Sequence, residues 1–138
     1  MGKVYETIRF GDAASNAEKL GIIISWLVSH HLTEATFEHE NASAIARLRM
    51  EDMSGAEFFA TILNGEFGSA FLNQHGQDFV EDYFLSDTYE HDYNQVRKCT
   101  ADQRLLCNHV YLKISEAYRK FVKPPSIGQK LAKVLRFR

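Results

Sequence analysis

Three short stretches place histidine beside carboxylate or beside a second histidine: Glu38-His39-Glu40, Glu90-His91-Asp92 and His30-His31. Imidazole and carboxylate are the usual nitrogen and oxygen ligands of zinc and related ions. Their spacing argues against a shared ion. Adjacent residues on a helix point in different directions, and side chains three or four apart are the ones that meet. None of H-E-x-x-H, C-x-x-C or E-x-x-H occurs in the chain. His30 and His31 fit a simpler role at the end of a helix, where they complement its dipole and bond its free carbonyls. Nucleophilic chemistry has no better footing. Cys107 and His109 are two apart and do not face each other on a helix, and there is no G-x-S-x-G. Gly65, Gly68 and Gly76 lack the preceding strand and the G-K-S/T of a phosphate-binding loop. The sequence assigns no catalytic residue, no metal ligand and no cofactor.

Charge is more informative. Residues 1–95 hold sixteen Asp and Glu against five Lys and Arg, whereas residues 96–138 hold two against eleven. No cation lies between Arg49 and Arg97, while ten acids do. A block of one sign attracts the opposite sign and repels its own. Within it Tyr83, Tyr89 and Tyr93 interleave with Glu81, Asp82, Asp87, Glu90 and Asp92. Tyrosine is common at binding hot spots, because it offers rigid area with a polar tip. The expected partner-binding set is Asp78, Glu81, Asp82, Tyr83, Asp87, Tyr89, Glu90 and Asp92. Tyr93 fits the core better. The basic end, with Lys123, Lys130, Lys133, Arg136 and Arg138, reads as a solvated helix face before it reads as a nucleic-acid or membrane contact.

These residues have to be positioned by helices. Ser or Thr followed three residues later by Glu or Gln satisfies two orphan N–H groups at a helix start. The pattern occurs at Ser15–Glu18, Ser54–Glu57, Thr100–Gln103 and Ser126–Gln129, with Asp87–Glu90 as a looser form. Apolar periodicity then predicts helices over Asn16–His31, Ala42–Met50, Gly55–Leu63, Gln77–Leu85, Thr88–Lys98, Ala101–Val122 and Ile127–Phe137. Asn64-Gly65 stops the third and Pro124-Pro125 the sixth. Val4–Phe10 is the one extended candidate. The expected core is Leu20, Ile24, Leu27, Phe58, Ile62, Phe79, Leu106, Val110 and Ile114. At 138 residues the chain fits one domain, residues 1–138, all-α, with about six to seven helices. It carries no long apolar run and no signal-peptide pattern, and it has two cysteines, so it reads as soluble, cytoplasmic and free of disulfides.

The stretch Ser54-Gly-Ala-Glu-Phe-Phe, Asn64-Gly-Glu-Phe67, Phe71-Leu-Asn73, Gly76, Phe79 and Tyr83-Phe84 resembles the central signature of a family of small uncharacterised bacterial domains. The resemblance covers about two-thirds of the chain, by comparison with typical domain lengths, and implies no catalytic residue. The make-up of the chain is also similar to that of cytosolic immunity proteins of bacterial toxin systems, which are small, often helical, frequently acidic and without active-site motifs. That likeness implies a cytoplasmic protein that binds and inhibits a cognate toxin domain, its acidic face meeting a basic partner surface, with no small-molecule substrate and no membrane. The alternative is a small metal-binding protein or enzyme using the His/Glu/Asp clusters.

Overall fold

No charged residue lies between Leu20 and Ser29, and a helix apolar all round has to be enclosed. In the computed structural model, which describes residues 4–7 and 14–122, this run is the inner part of α1 (Ala14–Ser29). Leu20, Ile23, Ile24, Trp26, Leu27 and Val28 are fully buried. Around it stand α2 (Ala35–Glu40), α3 (Ala42–Arg49), α4 (Gly55–Thr61), α5 (Gln74–Tyr83), α6 (Thr88–Cys99) and α7 (Gln103–Val122). The described residues thus form an all-α domain with one small ladder. In it β1 (Val4–Thr7) runs antiparallel to β2 (Glu66–Gly68), with an irregularity between Val4 and Glu6.

α1 and α4 cross where neither helix has a side chain. A Cβ placed on Gly21 would lie 2.4 Å from the Ala56 nitrogen, and one on Gly55 would lie 2.1 Å from the Gly21 oxygen. Glycine in mid-helix costs about 1 kcal/mol relative to alanine. Here that cost allows the two backbones to touch. α7 closes the other side of α1: Trp26 Nε1 donates to Ser115 Oγ at 3.0 Å, and Ser25 Oγ bonds the Tyr111 hydroxyl. Leu106, Val110 and Ile114 of α7 are buried with Phe58 and Phe79, as expected, while Ile62 is only half-buried.

Several local expectations need correction. α1 begins at Ala14, so Ser15 lies inside it instead of before it. α5 begins at Gln74, three residues early, because Asn73 Oδ1 accepts from the Gly76 N–H at 2.7 Å. α7 is capped by Asp102, whose Oδ1 accepts from the Arg104 and Leu105 amides, and Thr100 is not the cap. Asp87 precedes α6 with φ 69° and makes no side-chain cap bond. Ser54 does cap α4, accepting from the Glu57 amide at 3.0 Å. The short α2 and β2 were not expected. The expected helix Ile127–Phe137 and its Ser126–Gln129 start lie outside the described residues.

Candidate protein-binding site

The acidic residues of α5 and α6 meet at one corner of the molecule. Along α5, Asp78 and Asp82 share an exposed stripe, with Gln74 Nε2 donating to Asp78 Oδ1 at 2.9 Å. The connection from Phe84 to Asp87 is held by its own bonds: Ser86 Oγ donates to the Asp82 carbonyl at 2.8 Å, and the Asp87 amide donates to the Phe84 carbonyl at 3.1 Å. Leu85 stands out of this turn, 48% exposed, between Asp82 and Asp87. Glu90 is exposed and pairs with Lys19 Nζ at 3.5 Å. Glu81 is half-buried.

These acids do not all have the same physical standing. Asp87 and Glu90 lie at the N-terminus of α6, where negative charge complements the helix dipole. Glu81 and Asp82 lie in the last turn of α5, which contains no basic residue. Negative charge there opposes the dipole, and helix stability does not account for it.

The tyrosines are not surface anchors, which corrects the expectation for Tyr83 and Tyr89. Tyr89 is fully buried and its hydroxyl donates to the Lys19 carbonyl at 2.6 Å. Tyr83 is buried against Phe79 and Tyr89, and its hydroxyl donates to Asp92 Oδ2 at 2.7 Å. Asp92 is therefore committed to an internal bond. Tyr93 is core, as expected, with its hydroxyl beside Glu18 and Arg97. Burial is the main cause that raises the Tyr83 phenol above the usual tyrosine range, with the Asp92 bond and charge adding to it. Burial also raises the Tyr89 phenol, and neighbouring Tyr83 and Tyr93 act in the same direction. What remains at the surface is a set of exposed acids, Asp78, Asp82, Asp87 and Glu90, with Leu85 exposed in the turn that joins their two helices. Leu85 was missed by sequence reasoning, although an apolar residue inside an acidic run was the available signal.

A second feature lies at the other end of α6. Gln95, Val96, Lys98, Cys99 and Thr100 face His109, Leu112, Lys113, Glu116 and Arg119 of α7 across a groove of about 740 Å³. Lys98, Lys113 and Arg119 outnumber Glu116 in its lining, and Leu112 there is 67% exposed. No sequence motif announced it, because it is assembled from two helices.

The histidine clusters take structural roles or stay apart. His30 stacks on Trp26 at 4.0 Å, and its Nδ1 donates to the Trp26 carbonyl at 2.9 Å, the helix-end role expected of it. His31 Nδ1 lies 3.1 Å from Arg49 Nη2, which also donates to the Val28 carbonyl at 3.0 Å. Among the described residues no three His, Cys, Asp or Glu side chains are grouped to hold a metal ion.

Residues 11–107 match a family described as a domain of unknown function, DUF7832. The chain belongs to that family. The DUF7832 match takes in α1 to α6, the acidic corner and the α6 wall of the groove, and ends at Cys107 inside α7. The whole α7 wall, from His109 to Arg119, lies beyond it. No curated protein and no solved structure matches the chain. Among the described residues no helix is long and apolar enough to cross a membrane.

Proposed function

We propose that this DUF7832 protein is a cytoplasmic binding protein of the immunity type, whose acidic corner docks on a basic surface of a bacterial toxin domain and holds it inactive. The observation that carries the reading is the placement of acid at the C-terminal end of α5. Asp82 there opposes the helix dipole, is exposed, and has no ion pair among the described residues. Charge kept where it costs stability suits a role in recognition. Asp78, Asp87 and Glu90 extend the same field, which speeds encounter with a basic partner, and Leu85 gives the patch an apolar centre. The tyrosines support this surface from beneath. The alternative, a metal-dependent activity of the His/Glu/Asp clusters, is not favoured by any grouping of ligands among the described residues.

The test is rescue. A toxic C-terminal domain of a secreted protein encoded beside this chain is expressed in cells with and without it. Restored growth and a 1:1 complex are expected. Asp82→Lys with Asp87→Lys should slow association strongly at low salt and little at high salt. Absence of rescue, or binding indifferent to both reversals, overturns the reading.

A further inference from the structure

Asp87 and Lys98 stand at opposite ends of α6, about 16 Å apart along its axis at about 1.5 Å per residue. That is about twice the screening length of about 8 Å at physiological ionic strength. The acidic corner and the basic groove therefore do little to neutralise each other within one molecule. Among the described residues Asp82, Asp87, Lys98, Lys113 and Arg119 enter no ion pair. The two patches also have matching centres. Leu85 projects from the corner between acids, 48% exposed, while Leu112 lies in the groove between cations, 67% exposed. One is an apolar knob with an acidic rim. The other is a hollow lined by Val96 and Leu112, with Lys98, Lys113 and Arg119 outnumbering its one acid, Glu116.

We propose that the groove of one copy receives the Leu85 corner of a second copy. The occupant is identified by charge: a groove in which Lys98, Lys113 and Arg119 outweigh the single acid Glu116 selects an acidic guest, and this chain presents one with a leucine beside its acids. The rim charges steer the encounter and the desolvated leucines hold it, the usual division between rim and core of an interface. The contact is heterologous, because corner meets groove and not corner meets corner. Each copy keeps one free corner and one free groove, so association continues into a ring or a chain. The proposal needs no toxin. It shares the corner with the reading above, so a toxin and a second copy would compete for it.

The full-length protein tests this by sedimentation velocity. Association that grows with concentration at about 0.1 M salt and is largely lost at about 1 M is expected, as the screening length falls from about 10 Å to about 3 Å. Leu85→Asp and Leu112→Asp should each weaken association by about tenfold or more, the effect of removing a hot-spot side chain. The decisive measurement mixes the two variants. The first retains its groove and the second its corner, so together they should form a heterodimer that grows no further. Circular dichroism checks that both are folded, and Asp82→Lys with Lys98→Glu replace them if either is not. A protein that stays monomeric at low salt overturns the proposal. So does association that either variant leaves intact, or a mixture that yields no dimer. These outcomes leave the toxin reading untouched, and failure of rescue leaves this one untouched.

Discussion

α1 and α4 meet backbone to backbone at Gly21 and Gly55, whereas α6 and α7 stand apart beyond Val96 and leave a groove. Both are pairs of neighbouring helices, but the residues at the contact differ. In the first pair, hydrogen atoms on two glycines set the distance, and nothing is left to meet solvent. In the second, long cationic side chains line the gap, and their charges favour water over a closed seam. The seam is closed by main-chain atoms, whereas the groove is open to solvent. α6 takes part in the core and the groove at once: Tyr89 and Tyr93 turn inward, while Lys98 at its C-terminal end lines the groove.

The contrast can be broken first at the seam. Gly21→Val should cost on the order of 5 kcal/mol or prevent folding, because the atoms it meets are backbone and cannot change rotamer. Chemical denaturation reads this directly, and a loss below about 1 kcal/mol would mean the helices can separate. Next, Leu27→Ala, at a fully buried site of α1, should cost about 2–5 kcal/mol by lost contact and cavity. Tyr89→Phe should cost about 0.5–1.5 kcal/mol by removing the hydroxyl's bond to the Lys19 carbonyl, which keeps its place in the α1 ladder, yet leave association rates with a partner unchanged. A large change in binding would return Tyr89 to the interface.

Alkali sharpens the same point. The Tyr83 and Tyr89 phenols titrate higher in the folded chain than in the unfolded one. Their contribution is therefore complete below the unfolded value of about 10 and is lost as pH rises beyond it. Stability should fall above about pH 10, with late phenolate absorbance appearing together with loss of helix. Phenolate forming freely in a still-folded protein would contradict the burial. The smallest effects belong to the groove: Lys98→Glu and Leu112→Asp should each alter stability by no more than about 0.5 kcal/mol.

The helices were legible where burial enforces a period. α1, α3, α4, α6 and α7 follow the apolar stripes, and Asn64 and Gly65 do take the positive φ that ends the α4 region. α2 escaped because none of its six residues is buried, so it has no stripe, and its start is held by Glu34 accepting from the Phe37 amide. That bond, the largest cause, holds the Glu34 carboxyl below its usual range. β2 escaped because its three residues pair with a strand some sixty positions away, and no local pattern encodes that. The tyrosines show how a sequence can mislead. Tyr89, Tyr93 and Val96 recur at helical spacing, the mark of an inner face, while Glu90 and Asp92 are neighbours in sequence only and point elsewhere. Interleaving on the page was a two-sided helix in space. The groove had no sequence signature, since its walls come from two helices whose residues are each unremarkable alone.

The glycine crossing also bears on how this domain can change over generations. An ordinary core contact can drift in two steps, one side chain growing after its neighbour has shrunk. At Gly21 and Gly55 the atoms that would have to retreat are main-chain atoms, and no amino acid is smaller than glycine. No first step is open at either position. Sequence variants that keep this arrangement of α1 and α4 should therefore hold both positions fixed, whatever else in the two helices changes.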